Sequence, residues 1–158
     1  MTDFFQMLAK IVLSVVLSGA IGIEREIRHR GAGLRTHILV CLGSTLIMLT
    51  SLKVFDIYKN TNPTIDPARI AAGIVTGIGF LCAGTIIRYG EAVKGLTTAA
   101  CLWIISGIGM AVGCGFYSAA ISVTVLTLVV LILLRKFEKH LGKETGRGYE
   151  VKPSEKEV

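Results

Sequence analysis

The densest set of side chains able to do chemistry lies in residues 22–37, GIEREIRHRGAGLRTH. Glu24, Arg25, Glu26 and Arg28 crowd together there, and on a continuing helix Glu24 and Arg28 sit four apart, within reach of an ion pair. Glu24 also lies within two residues of an apolar run, and Arg35 sits equally tight against the next one. A carboxylate at the edge of hydrocarbon needs a partner, so a Glu24–Arg35 contact across the connection is expected. The plainer reading of the segment is a solvated basic cap in contact with lipid phosphates. Either way the chemistry is charge pairing, not bond making.

A second cluster pairs Asp66 with Arg69, three residues apart at a helix start and thus on one face. A helix cap with a local ion pair accounts for it. Asp66, with Asp56, could instead attract a divalent cation, because hard cations favour carboxylate oxygens, but Lys59 and Arg69 close by make a poor magnesium cage. A third cluster, residues 94–103 (KGLTTAACLW), places Thr97 and Thr98 at the start of a glycine-rich helix. Their hydroxyls can bond back to the helix or across to a neighbour, which is preferred here to a polar path. Trp103 can be interfacial or packed among small faces.

No catalytic set emerges. His29, His37 and His140 lack metal-ligand spacing, the serines lack a nearby base, and no phosphate-cradling loop follows a strand. Cysteines 41, 82, 101 and 114 form no CxxC pair and sit in or beside apolar runs, so they read as small packing residues rather than a disulfide framework or zinc site. No enzyme activity and no cofactor are expected, Mg2+ at Asp66 being the one metal worth weighing.

The elements that must position these residues are membrane spans. The chain is 52% hydrophobic and 18% charged, with a mean hydropathy of +0.65, more apolar than a soluble domain of 158 residues tolerates. The net charge of +6 could suggest a nucleic-acid partner, but the basic residues flank apolar runs instead of lining one face, so none is expected. Five apolar runs are long enough to cross about 30 Å of hydrocarbon, at residues 4–23, 36–55, 68–87, 96–112 and 116–134. The fold class expected is an all-α integral membrane protein, with residues 1–134 forming the membrane domain. Residues 135–158 are expected to form a basic cytoplasmic tail, partly disordered. Lys10 inside the first run is expected to snorkel to the nearer surface. A cleaved signal peptide is set aside, because the N-terminal region lacks a basic cluster and further spans follow.

Residues 66–87, DPARIAAGIVTGIGFLCAGTII, are the most telling run. Pro67 suits the first helical turn and Asp66 can cap it. Glycines 73, 77, 79 and 84 would each cost about 0.8–1 kcal/mol in a water-exposed helix, whereas between membrane helices small residues allow close approach. Gly73 with Gly77, and Gly79 with Ala83, are spaced four apart, and Ser14, Ser18 and Gly22 make a similar face on the first span. This third helix is expected to pack against neighbours through those faces. GIGF at 77–80 and GIGM at 107–110 hint at related packing in the third and fourth spans.

Orientation follows from charge. With five spans, one side holds only Lys10, Lys53, Lys59 and Arg69, and the other holds the remaining thirteen of the 17 Lys and Arg. The positive-inside rule then places the N-terminus outside and the first connection and tail in the cytoplasm.

Read together, IGIERE (21–26), GLRTH (33–37), residues 66–87 and KGLTTAACLW (94–103) resemble the MgtC/SapB family of bacterial inner-membrane proteins, across nearly the whole membrane portion and in the same order. Glu24, Arg25, Glu26, Arg35 and Thr36 match its first signature, and Asp66, Arg69, Gly77, Gly79, Gly84, Thr97, Thr98 and Trp103 match the others. The resemblance implies five spans with a cytoplasmic C-terminus. It also implies a role in adaptation to magnesium limitation and, in pathogens, survival inside host cells. Two positions depart from the common family pattern RIAAQVVSGIGFLGAG: Gly73 replaces the glutamine and Cys82 a glycine. Losing that amide puts in doubt any mechanism that uses it. The tail is too short for the ACT-like cytoplasmic domain of longer relatives. The function expected is regulatory, through docking of small-residue faces against another membrane protein or a second copy in the bilayer. The alternative is a magnesium or proton-linked carrier using Asp66, Arg69 and the Thr97–Thr98 segment.

Overall fold

The computed structural model describes residues 2–61, 64–90 and 92–134. Five helices dominate: α1 (Thr2–Ile27), α2 (Leu34–Tyr58), α3 (Pro67–Gly84), α4 (Leu96–Cys114) and α5 (Tyr117–Val129), the last continued by a π-helical turn over Val130–Leu134. All five are long and apolar enough to span a membrane, α5 when its π turn is included. The all-α, five-span class is therefore the observed one. The tail at 135–158 lies outside the described residues.

Helix ends depart from the expected spans for identifiable reasons. Helix α1 runs past residue 23 to Ile27, because Glu24, Arg25 and Glu26 are compatible with helix and only the hydrocarbon, not the helix, has to stop at the first charge. It closes in a Schellman-type turn in which the Arg30 N–H reaches the Arg25 carbonyl at 3.1 Å and His29 takes the left-handed position at φ 51°. Helix α3 begins as its sequence implies, with Pro67 in the first turn and Asp66 accepting from the Ala68 N–H at 2.8 Å. It ends at Gly84, short of residue 87. The chain then forms an antiparallel hairpin of β1 (Ile87–Tyr89) and β2 (Ala92–Lys94), with Ile87 opposite Lys94 and Tyr89 opposite Ala92, where a plain connection had been expected. Gly95, at φ 93°, admits the sharp return into α4, and a Cβ there would strike the Thr85 carbonyl.

Helix α4 is the axis of the bundle. Its buried residues run around it, from Thr98, Ala99 and Cys101 to Ile108, Val112 and Gly113. The apolar core joins Leu17 and Ile21 of α1, Cys41 of α2, Ile105, Ile108 and Val112 of α4 and Ala120 of α5. Lipid tails are as apolar as these side chains, so close packing and interhelical hydrogen bonds must hold the helices together. The α2–α4 seam supplies both. A Cβ on Gly109 would fall 2.5 Å from the Cys41 carbonyl oxygen, and one on Gly113 would fall 2.7 Å from Met48 Cβ. Across this close approach Ser44 and Ser106 share a hydrogen bond at 2.9 Å, and Thr45 donates to the Gly109 carbonyl at 3.0 Å. On α1, Ser14 and Ser18 are fully buried, while Lys10, the one charge in mid-run, donates to the Gly113 carbonyl at 2.9 Å. That bond ties the start of α1 to the negative end of α4.

The third helix corrects one expectation. Among the described residues, nothing comes within 4 Å of where a Cβ would stand on Gly73, Gly77, Gly79 or Gly84. Only Ile74 and Ile78 of α3 are buried, and Phe80 is 83% exposed. The small-residue packing that α3 was expected to carry belongs, among the described residues, to Gly109 and Gly113 of α4 and to Gly22 of α1, where a Cβ would fall 2.9 Å from Leu34 Cα.

Candidate functional site

The contacts place the end of α1, the α1–α2 connection, the start of α4 and the last turn after α5 at one end of the bundle, and most of the described basic residues gather there. Glu24 and Arg25 are buried at this end, 9% and 4% exposed. Arg28, one helical turn on, donates through Nε to Glu24 Oε1 at 2.6 Å. The second carboxylate oxygen of Glu24 stands 3.6 Å from Arg25 Nε, too far for a hydrogen bond, and neither atom has a hydrogen-bond partner among the described residues. The guanidinium of Arg25 has one weak outlet, a contact of Nη1 with Cys101 Sγ at 3.9 Å. Glu24 is thus met by Arg28 and Arg25 of its own helix rather than by Arg35, which lies exposed at the start of α2. The helix continues beyond the apolar run, and that continuation sets Arg28 on the face of Glu24.

Glu26 does a different job. Its Oε2 accepts the Leu34 N–H at 2.9 Å, and Gly33, the N-cap of α2, offers no side-chain cap of its own. A carboxylate at a helix N-terminus satisfies an orphan donor and opposes the positive dipole end. A Cβ on Gly33 would occupy the space of that carboxylate, so the glycine in GLRTH and the second glutamate in IERE are two halves of one cap. Next to it His37 is fully buried, its Nδ1 bonded to the Gly33 carbonyl at 2.8 Å and its Nε2 unpaired. Thr36, one residue earlier, is exposed.

A partly open cavity of about 260 Å³ sits beside the Glu24–Arg25 pair, lined by Glu24, Arg25, Arg28, Arg30 and Thr97, with an apolar wall of Val130, Leu131 and Leu134. Three guanidiniums face one carboxylate there. Thr97 lies in the first turn of α4, whose N-cap, Gly95, has no side-chain cap bond, so the positive end of that helix adds to the field. Its neighbour Thr98 is buried in the bundle.

The remaining sequence candidates are scattered. Asp66 is exposed and occupied as a cap, and among the described residues it forms no ion pair with Arg69, to which it is joined only by the backbone bond from the Arg69 N–H to the Asp66 carbonyl at 3.2 Å. Asp56 is engaged by Lys59 at 2.7 Å. No group of three or more His, Cys, Asp or Glu able to hold a metal occurs among the described residues. Asp66 opens α3 and Thr97 follows its far end through the hairpin, so the 18-residue helix separates them by ~27 Å. A single binding site made of Asp66, Arg69, Thr97 and Thr98 is not assembled. Trp103 is 56% exposed on the outer face of α4, beside a shallow apolar groove with Gly107 and Ala119. Gly77 borders another groove between α2 and α3, together with Gly43 and Gly73.

Sequence reasoning read Cys101 as a small packing residue without its contact to Arg25, and passed over the Val130–Leu134 wall, which carries no motif. It also passed over the cap made by Glu26, although a carboxylate-rich helix end followed by glycine and a second helix was a usable signal.

The model of the MgtC family matches residues 11–140. The chain is 44% identical over 127 residues to the protein named "Putative magnesium transporter YhiD" of Escherichia coli K12, covering 80% of this chain and 59% of that one. It is 41% identical over 139 residues to "Protein MgtC" of Salmonella typhimurium LT2, covering 88% of this chain and 57% of the relative. A Haemophilus influenzae protein is 34% identical over 148 residues, covering 92% and 62%. The chain therefore spans about three-fifths of the length of the curated relatives it matches. No solved structure matches it. With the glutamate–arginine cluster, the capped GLRTH turn and the five apolar helices all lying within or across the matched region, this chain is a multi-pass membrane protein and belongs to the MgtC family.

Proposed function

We propose that the chain works in the bacterial inner membrane, in adaptation to magnesium limitation, as a regulator that docks the open small-residue face of α3 against another membrane protein or a second copy. The N-terminus faces outward and the arginine-rich end faces the cytoplasm, following the distribution of basic residues. The magnesium link draws on the printed name of the Escherichia coli relative. One observation carries the docking reading: Gly109 and Gly113 of α4 are filled by α2, whereas Gly73, Gly77, Gly79 and Gly84 of α3 meet nothing among the described residues. Small residues on a membrane helix favour close helix–helix contact, so an unfilled glycine face beside the groove at Gly43, Gly73 and Gly77 suits a further helix. No catalytic role is assigned.

The test is photocrosslinking in native membranes from a benzoylphenylalanine placed at Phe80, which shares the face of Gly73, Gly77 and Gly84. Docking predicts a protein adduct that disappears with Gly77→Leu. Adducts with lipid alone would count against it.

The name of the same relative supports a second reading, magnesium transport. Purified protein in liposomes that passes magnesium in a manner abolished by Asp66→Asn would displace the regulator reading. The ~27 Å between Asp66 and Thr97 weighs against a shared carrier site.

A further inference from the structure

We infer that the cavity beside Glu24 and Arg25 is a phospholipid headgroup site, in which the arginines take the phosphate and Glu24 takes a hydrogen-bond donor of the headgroup. Three observations converge on it. The cavity is lined by Arg25, Arg28 and Arg30 against the single carboxylate of Glu24, which is a net positive lining suited to a phosphate. Arg25 is 4% exposed, and beyond the 3.6 Å ion pair of Nε with Glu24 Oε2 and the 3.9 Å contact of Nη1 with Cys101, its Nε makes no hydrogen bond among the described residues, so a buried cation is left with donors to spare. A buried charge in that state is costly unless something completes its shell. The uncapped first turn of α4 reaches the same cavity through Thr97, adding a hydroxyl and the positive end of a helix.

The remaining features narrow the anion to a lipid. Glu24 Oε1 is taken by Arg28, but Oε2 is buried, faces Arg25 Nε only at 3.6 Å and accepts no hydrogen bond among the described residues, and a carboxylate oxygen can only accept. The ligand must therefore present a donor next to its phosphate, as the ammonium of an ethanolamine headgroup or the hydroxyls of a glycerol headgroup do. A choline headgroup has no N–H or O–H to offer. The opposite wall is apolar, formed by Val130, Leu131 and Leu134 where the last helical turn ends, and it provides a surface for an acyl chain. The cavity lies at the end of the spans, the depth at which phosphates of a leaflet sit. Inorganic phosphate shares the anionic chemistry but would use neither the apolar wall nor the depth.

The experiment uses the full chain, delipidated in detergent and titrated separately with dioleoyl-phosphatidylethanolamine, dioleoyl-phosphatidylglycerol, dioleoyl-phosphatidylcholine and inorganic phosphate. Native mass spectrometry reads the adducts and thermal unfolding reads the stabilisation. The site predicts retained adducts and raised unfolding temperatures with the ethanolamine and glycerol lipids, with the choline lipid at least about tenfold weaker for want of a charge-assisted hydrogen bond. Arg25→Gln should weaken both favoured lipids about tenfold or more. Because Arg25 is buried and its variant could misfold, the less buried Arg28→Gln and Leu134→Trp, which fills the apolar wall, provide the same loss in a chain whose helical circular dichroism is unchanged. Glu24→Gln removes the anionic acceptor and should weaken the ethanolamine lipid more than the glycerol lipid. Equal binding of all three lipids, or undiminished binding by folded Arg28→Gln and Leu134→Trp together, overturns the inference. Stabilisation by inorganic phosphate alone, with no lipid adduct, assigns the pocket to a free anion and overturns the lipid assignment.

Discussion

Replacing Gly109 and Gly77 by alanine should give opposite results, although the two look alike in sequence. At Gly109 the new methyl would fall 2.5 Å from the Cys41 carbonyl oxygen and 2.9 Å from Ser44 Cβ. Neither neighbour can step aside cheaply, since one is backbone and the other is anchored by the Ser44–Ser106 hydrogen bond. Forcing an extra methyl into a packed seam costs about 1–3 kcal/mol, and weakening the Ser44–Ser106 and Thr45–Gly109 bonds adds about 0.6 kcal/mol each. Alanine's better helix propensity returns at most about 1 kcal/mol, so the net loss is about 1–3 kcal/mol. At Gly77 the methyl meets nothing among the described residues, and only the propensity gain remains. Thermal unfolding of purified protein in detergent should therefore show Gly109→Ala lower than wild type by several degrees, at about 2–4 °C per kcal/mol for a chain of this size, and Gly77→Ala equal or higher. An equal fall for both variants would refute the reasoning, because it would mean that the α3 face is filled within the chain.

Further expectations follow from single contacts. Glu26→Gln keeps a weaker acceptor for the Leu34 N–H, whereas Gly33→Val displaces the side chain altogether, so the valine variant should be the less stable of the two, by about 1 kcal/mol on the scale of a lost cap, in the same unfolding assay. Ser44→Ala and Ser106→Ala, with their double variant, should show a coupling of about 0.6 kcal/mol in a double-mutant cycle, and additive losses would mean that the hydroxyls do not share the bond. Glu24→Ala strips the carboxylate from two arginines, one of them buried, and should cost about 3 kcal/mol or more, read as loss of folded yield and a lowered unfolding midpoint. Reporter fusions should place a tag after Leu134 on the cytoplasmic side and a tag in the α2–α3 connection outside; the reverse pattern would overturn the orientation.

The helices were legible because each apolar run is about as long as a bilayer is thick, and because charges fall almost wholly between the runs. Their packing was far less legible. Gly73 with Gly77 and Gly109 with Gly113 have the same four-residue spacing, and nothing in a local pattern tells which pair meets a neighbour in its own chain. That depends on the close approach of α2 to α4, a long-range property. The hairpin at Ile87–Lys94 escaped notice because its strands are short and fully exposed, with no alternating buried face to mark them. The cap of Asp66 on α3 was readable, since Asp-Pro acts through bonds two residues away. The partners of Glu24 were only half readable: the spacing to Arg28 was visible, but the burial of Arg25 against Cys101 joins residues far apart in the chain.

The most direct test of the docking account is growth at limiting magnesium of a bacterium lacking its own copy of this protein, complemented with wild type or with Gly77→Leu. A leucine on the open α3 face should leave the unfolding temperature and membrane yield unchanged while abolishing complementation. Full growth by a folded Gly77→Leu protein would contradict the claim that this face is where the protein acts.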